Sequence, residues 1–134
     1  MEDYYFENDL VFACNRAFKF PDGVQIAFET LHAHIPFSTT RKFFSFSWMN
    51  EKGEIIYLAG AEIWADEIYP ELEKFTFKKG KYRGTIIQDF MKDIPKMGHL
   101  FQELCRDAEL DLQGYCVEWY FNENDVKCFV KLKD

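Results

Sequence analysis

The strongest constraint on the fold is a pair of predicted hairpins of similar design. Each consists of two runs rich in aromatic and β-branched residues around a polar four-residue loop: 43–49 and 54–64 around 50–53, and 115–121 and 126–132 around 122–125. Such runs around a short polar loop are typical of antiparallel strand pairs. The chain is therefore expected to contain a largely antiparallel sheet.

A predicted strand and a predicted helix precede each hairpin. Residues 10–20 are strand-like, and the helix that follows places apolar residues at helical spacing and ends at Pro36: Val24, Phe28, Leu31 and Ile35. Residues 75–87 predict a strand bent at 78–81, and the next helix places its apolar residues on one face: Phe90, Ile94, Met97, Phe101 and Leu104. Both halves therefore have the order strand, helix, strand, strand.

The predicted fold class is α+β, with tandem pseudo-symmetric βαββ repeats, an antiparallel sheet and two main helices. The repeats cover about 8–66 and 73–133, within a single domain that spans 1–134. With 48% hydrophobic and 19% aromatic residues, the chain can fill a core without a disulfide or a metal.

Charge and composition exclude several classes of function. A net charge of −7 disfavours direct binding of nucleic acid, which needs clustered Lys and Arg. The first ten residues do not resemble a signal peptide, and no apolar run predicts a membrane span. The four cysteines form no Cys-x-x-Cys pair, and the three histidines lack metal-ligand spacing. We expect a cytoplasmic, disulfide-free protein without metal or cofactor.

Side-chain alternation predicts which residues face the core. If Phe121 pairs with Val126, one face carries Tyr115, Val117, Trp119, Phe121, Val126, Cys128, Val130 and Leu132, and a helix covers it. The opposite face then carries Cys116, Glu118, Tyr120, Lys127, Phe129 and Lys131. The same pairing in the first hairpin puts Phe44, Phe46, Trp48, Ile55, Tyr57, Ala59, Ala61 and Ile63 on the apolar face. It directs Phe43, Ser45, Leu58, Glu62 and Trp64 away from that face.

The faces directed away from the core predict a ligand site. Each carries an acid two residues before an aromatic residue, Glu62 before Trp64 and Glu118 before Tyr120. A partly desolvated carboxylate among aromatic rings attracts organic cations through its charge and through the negative ring faces. The predicted site takes Glu118 as counter-charge, with Glu62 beside Trp64, and its walls are Tyr120, Phe129, Trp64 and Phe43.

Structural interpretations of these residues stay open. Glu118 is alternatively a solvated strand carboxylate paired with Lys127 or Lys131, and Trp64 and Tyr120 are alternatively rim aromatics that cover the edge of the sheet. The sequence contains no phosphate-binding glycine loop, nucleophile elbow or zinc-protease motif, so any catalysis would depend on Glu118.

Three stretches of the second half resemble the gyrase-inhibitor-like (GyrI-like) family of small-molecule-binding domains, which also occur as effector-binding domains of bacterial transcription activators. These are Gly80-Lys81-Tyr82, the helix from Asp89 to Cys105, and Val117-Glu118-Trp119-Tyr120 with the strand from Val126 to Leu132. The resemblance implies tandem strand-helix-strand-strand units and a cleft glutamate at Glu118. Because only about nine residues precede the first predicted strand, we expect no DNA-binding segment and a stand-alone ligand binder.

Three functions follow from this interpretation. The preferred one is binding of a flat, apolar or cationic small molecule. The second is hydrolysis of a reactive electrophile with Glu118 as general base, because some members of the family are hydrolases. The third is an interaction with gyrase or with a regulator, in which the acidic surface meets a basic partner. A homodimer also stays open.

Overall fold

Eight antiparallel strands form one curled sheet, and two helices cover one of its faces. The computed structural model describes the backbone of residues 1–134 and every side chain except that of Ile94. The strands are β1 (Glu2–Phe6), β2 (Leu10–Arg16), β3 (Phe43–Met49), β4 (Ile55–Glu62), β5 (Glu73–Phe77), β6 (Gly80–Ile87), β7 (Cys116–Trp119) and β8 (Val126–Lys131). The helices are α1 (Val24–His34) and α2 (Ile94–Leu104), and a short 3-10 turn (Phe90–Lys92) precedes α2.

The order of strands in the sheet confirms the predicted α+β fold with tandem βαββ repeats. Strands lie in the order β1-β6-β8-β7-β3-β4-β2-β5. The unit β2-α1-β3-β4 and the unit β6-α2-β7-β8 are therefore mirrored in this order about the central pair of β3 and β7. The outer strands follow the same symmetry, since β1 pairs with the second unit through β6 and β5 pairs with the first through β2.

Two features of the sheet were not predicted: the first strand, and a break that divides one predicted strand into two. The acidic, aromatic start of the chain forms β1 at an edge of the sheet. The bent strand predicted at 75–87 is in fact two strands, β5 and β6, which pair with different neighbours. Because only residues 78–79 connect β5 at one end of the sheet to β6 near the other, the sheet must curl until its ends approach. The ring centroids of Phe6 in β1 and Phe77 in β5 are accordingly 4.8 Å apart.

The predicted pairing of both hairpins is wrong by one residue. Phe46 pairs with Leu58 in the first hairpin, and Glu118 pairs with Cys128 in the second. Since side chains alternate between faces, this slip moves every side chain of one strand to the opposite face relative to its partner. Val126, Cys128 and Val130 therefore share a face with Glu118, not with Val117 and Trp119.

Loop chemistry explains the slip. The first connection has five residues, 50–54, because Met49 pairs with Ile55. The Asn50 side chain closes this loop by accepting hydrogen bonds from the backbone N–H groups of Lys52 and Glu54, at 3.0 and 2.9 Å. Asn122 plays the matching role in the second loop, where it accepts from Asn124 and Asp125. A side chain that mimics backbone in this way lets a longer loop close.

Two cores form on the two faces of the sheet, which we call the concave face and the helix face. The concave face is filled by an aromatic cluster that no helix covers, with buried members Phe12, Cys14, Phe44, Phe46, Leu58, Phe77, Tyr82, Val117 and Phe129. On the other face, α1 packs through Ala27 and Leu31, and α2 packs through Met97, Leu100 and Leu104.

Helix boundaries follow the predicted signals in part. The helix α1 ends before Ile35 and Pro36, as expected, and Gly23 occupies its N-cap position. Pro95 lies in the first turn of α2, where a missing N–H costs nothing. Ile94, assigned to the apolar face of this helix, lies outside the described side chains. In the part of the chain that the structure describes, neither helix combines the length and apolar character needed to cross a membrane.

Candidate functional site

The two central strands of the sheet lie between the helices. The helix α1 packs on β2 and β4, and α2 packs on β8 and β6. The strands β3 and β7, which pair with each other, therefore form the floor of the region between α1 and α2, which we call the groove. Ser45 of β3 and Glu118 of β7 are direct neighbours on this floor.

Three hydroxyl groups converge on a single oxygen of Glu118. Ser45 Oγ donates to Glu118 Oε1 at 2.6 Å, and Tyr57 Oη and Tyr120 Oη each donate to the same atom at 2.7 Å. Distances this short are typical of hydrogen bonds to an ionised acceptor. Among the described residues, no hydrogen-bond donor meets Oε2 and no Lys, Arg or His forms an ion pair with the carboxylate. Glu118 is thus fixed in position with its charge uncompensated by a cation.

Burial keeps the tyrosine hydroxyls protonated. Desolvation first, and the negative charge of Glu118 second, raise the pKa of Tyr57 and of Tyr120 well above the usual value for tyrosine. Both groups therefore remain donors across the physiological pH range. Because they are neutral, they orient the carboxylate without cancelling its charge.

Aromatic rings surround these hydroxyl groups. Phe28 of α1 lies with its ring centroid 5.3 Å from Tyr120, and Phe90, before α2, lies 5.5 Å from the same ring. Phe20 stacks on Tyr57 at 5.6 Å. The groove thus combines one carboxylate with rings contributed by both halves of the chain.

Of the six predicted site residues, the structure brings together Glu118, Tyr120 and Phe43, whose backbone carbonyl accepts the Tyr120 N–H at 2.9 Å. Phe129 was predicted to share their face, and this is wrong: it pairs with Val117 and is buried in the concave aromatic cluster. Phe43 is on the helix face but is buried with the α1 residues. The alternative in which Glu118 pairs with Lys127 or Lys131 is also wrong. The observed strand register puts both lysines on the concave face, opposite to Glu118.

The predicted pair of Glu62 and Trp64 belongs to another part of the surface. Trp64 is 48% exposed, and the guanidinium of Arg41 lies 4.3 Å from the centroid of its ring. Glu62 Oε1 accepts the backbone N–H of Lys42 at 3.4 Å. In this region the firmly held carboxylate is Glu67, which accepts two hydrogen bonds from Arg41.

The sequence interpretation missed Ser45 and Tyr57 as functional residues. Ser45 was assigned to the face directed away from the core and Tyr57 to the apolar face, whereas both hydroxyls reach Glu118. The missed signal was the capping asparagine in each loop, which accommodates five loop residues and shifts the register. Phe28 was read only as a core position of α1.

Cysteines beside the site are poorly suited to nucleophilic chemistry. Burial first and the neighbouring Cys105 second raise the pKa of Cys116 to about 12. Burial also raises the pKa of Cys128, which pairs with Glu118 across the strands. Thiols with raised pKa values are inert because the thiolate is the nucleophile. Among the described residues, no three His, Cys, Asp or Glu side chains are grouped as metal ligands.

Comparison with known proteins supports the fold and does not assign a family. No family model matches the chain, and no curated protein matches it. An integron cassette protein from the mobile metagenome of Vibrio cholerae has a similar structure, with a TM-score of 0.59, 12% identity, and coverage of 99% of this chain and 100% of that one. A hydrolase from Listeria innocua aligns with a TM-score of 0.48 and 9% identity over 98% of this chain and 89% of its own. The curled sheet with its aromatic cluster is an architecture compatible with small-molecule binding.

Proposed function

We propose that the groove between α1 and α2 binds a flat organic cation, with Glu118 as its counter-charge. The observation that carries this proposal is the carboxylate itself, which three neutral hydroxyls hold through one oxygen while the other has no partner among the described residues. A half-buried charge without a cation is electrostatically costly, and an arriving cation removes that cost. The resemblance to GyrI-like domains supports the same role, because it implies a cleft glutamate at Glu118.

The aromatic rings support a flat and cationic ligand. A cation over a ring face gains about 0.5–2 kcal/mol per contact, with the larger values at desolvated sites. Phe28 and Phe90 come from different halves of the chain, and their ring centroids lie 5.3 and 5.5 Å from that of Tyr120. A planar ligand that packs against one of these rings would gain from stacking as well as from charge.

Calorimetric titration with N-methylquinolinium, a flat cation, tests the proposal against quinoline at pH 8 as the neutral partner of similar shape. We expect the cation to bind at least about tenfold more tightly, which corresponds to about 1.4 kcal/mol. In Glu118→Gln the carbonyl oxygen still accepts the three hydroxyl hydrogen bonds, so this variant removes charge and preserves shape.

The matched control is Glu123→Gln, which removes one exposed carboxylate from the second hairpin loop. We expect Glu118→Gln to lose the preference for the cation and Glu123→Gln to keep it. Equal affinity of Glu118→Gln and the unaltered protein for N-methylquinolinium would refute the counter-charge role.

The free oxygen of Glu118 also favours a second candidate, hydrolysis of a reactive electrophile. A carboxylate oxygen without a partner is placed to accept a proton from water, and the hydroxyls would hold it in position. A reactive alkylating agent, incubated with the protein and followed by chromatography, distinguishes the candidates. Enzymatic product that disappears in Glu118→Gln supports hydrolysis, and product formation that survives the substitution excludes Glu118 as the base.

A further inference from the structure

A second pocket lies on the other side of β7 from Glu118. It has a volume of about 140 Å³ and is lined by Thr39, Thr40, Arg41, Lys42, Trp119 and Phe121. Trp119 packs against the concave aromatic cluster and pairs with Phe44 and Lys127 on the neighbouring strands. The pocket therefore begins where the aromatic core reaches the end of the sheet.

Two lysines approach the indole ring of Trp119. Lys127 Nζ lies 4.5 Å from the centroid of the Trp119 ring and 5.3 Å from that of Phe121, and Lys42 Nζ lies 5.8 Å from the Trp119 ring. Within the described residues neither ammonium group makes an ion pair or donates a hydrogen bond.

Two other charged side chains at or beside the pocket, Arg41 and Glu62, already have hydrogen-bond partners. Arg41 donates to both oxygens of Glu67 and to the Glu62 carbonyl oxygen, so its charge is already paired with a carboxylate. Glu62 accepts the backbone N–H of Lys42 through Oε1. This bond leaves the negative charge of Glu62 in place, so the two ammonium groups of Lys42 and Lys127 face one carboxylate and the charge left for a ligand is positive. Lys42 lines the pocket, and Lys127 reaches it over the rings of Trp119 and Phe121.

We propose that this pocket binds a single-ring aromatic carboxylate, with its ring against Trp119 and Phe121 and its carboxylate between Lys42 and Lys127. Size supports one ring, because a cavity of about 150 Å³ holds benzene. Charge supports a carboxylate, since two ammonium groups flank the rings. The ligand class is opposite in charge to that of the Glu118 groove, and the two sites lie on opposite faces of β7.

An NMR titration with sodium benzoate tests this inference. The probe signal is the indole N–H of Trp119, assigned by its loss in Trp119→Phe, and benzamide at equal ionic strength is the neutral control. We expect benzoate to shift this signal with at least fivefold higher affinity than benzamide. We expect Lys42→Gln combined with Lys127→Gln to weaken benzoate binding at least tenfold, and each single substitution to weaken it about threefold.

Two controls separate this site from general charge and from the Glu118 groove. Lys52→Gln removes an exposed lysine of the first hairpin loop, and Glu118→Gln alters the groove. Both should bind benzoate like the unaltered protein, whether or not the groove binds cations. Equal shifts by benzoate and benzamide, full retention of binding in the lysine variants, or an unmoved Trp119 signal at 50 mM benzoate would each overturn the proposal.

Discussion

The two faces of β7 differ in what holds their side chains, which is packing on one face and hydrogen bonding on the other. On the concave face, Val117 and Trp119 join an aromatic cluster held by packing. On the helix face, Glu118 is held by three hydroxyl groups, and its pairing partner Cys128 is buried beneath α2. The concave face supplies stability through burial, and the helix face keeps a charge in a fixed place. Stability and ligand binding should therefore respond to different substitutions.

The largest loss of stability is expected from a substitution at a position in the concave core that has no space for a side chain. Gly84 of β6 pairs with Phe129, and a Cβ atom there would lie 1.8 Å from the Cys128 carbonyl oxygen and 2.6 Å from Phe129 Cα. Since both obstacles are backbone atoms, Gly84→Ala should lower the free energy of unfolding by more than about 4 kcal/mol. Urea denaturation measures this.

The control for this substitution is Gly98→Ala in α2, where an added Cβ meets nothing within 4 Å. It should stabilise the protein by up to about 1 kcal/mol, because alanine favours helix. If Gly84→Ala unfolds at the same urea concentration as the unaltered protein, the close approach of β6 and β8 is wrong.

Phe44→Ala tests packing in the aromatic cluster. The Phe44 ring lies 4.7 Å from Phe12, 5.2 Å from Phe77 and 5.4 Å from Trp119, measured between centroids. Its truncation should cost about 3–5 kcal/mol through lost burial and a cavity. Binding of N-methylquinolinium by the folded fraction should stay within twofold. A parallel loss of cation affinity would show that the two faces are not independent.

Tyr57→Phe tests the hydroxyl cluster on the helix face. The substitution removes one donor to Glu118 and keeps the ring, while Ser45 and Tyr120 still hold Oε1. Loss of a buried hydrogen bond to a charged group should lower the free energy of unfolding by about 1.5–3 kcal/mol. Tyr5→Phe, at a tyrosine that is 74% exposed, is the control and should change stability by less than about 0.5 kcal/mol. Equal effects of the two substitutions would argue against the cluster.

Glu67 offers a comparison with Glu118, because it is held by a guanidinium. Two hydrogen bonds from Arg41, with smaller contributions from the Trp64 N–H and the Tyr69 hydroxyl, lower the pKa of Glu67 from 4.5 to about 2. A lowered folded-state pKa stabilises the protein above the unfolded value, and this stabilisation is lost as the pH falls from about 5 towards 2. Over this range the free energy of unfolding of the unaltered protein should therefore fall by about 1 kcal/mol more than that of Glu67→Gln, because solvent screens the partly exposed pair.

Thermal unfolding at pH 6, 4 and 2.5 measures that difference. A constant gap in the free energy of unfolding between the two proteins would show that Arg41 does not hold the carboxylate. Asp66→Asn, which removes a carboxylate from an exposed neighbour of Glu67 and leaves the pair of Arg41 and Glu67 in place, is the matched control.

The fold class followed from sequence because it depends on patterns that are local. Helical spacing placed α1 and α2, and the polar loops placed both hairpins. The start at β1 was missed because its acidic residues do not resemble a buried strand, although as an edge strand it needs only one partner. The break between β5 and β6 was missed because Lys78 and Lys79 alone separate two strands that pair at opposite ends of the sheet.

The site was predicted less well because it depends on register. Glu118 was chosen for its place between aromatic residues and by family resemblance, neither of which requires correct pairing. Phe129, by contrast, was chosen by counting across the loop, and one extra loop residue placed it on the wrong face. Recognition of Tyr57 and Ser45 needed the same count in the first hairpin. An asparagine that closes a five-residue loop controls which side chains meet, and that information is only weakly visible in sequence.

A crystal structure with N-methylquinolinium tests the central claim most directly. The account predicts the ligand in the groove and against the ring of Phe28 or Phe90, with its charged ring within about 6 Å of Glu118 and with Oε1 still bound to its three hydroxyls. Ligand density elsewhere on the molecule, or in the groove with Glu118 turned away from it, would contradict the assignment of this carboxylate as the counter-charge.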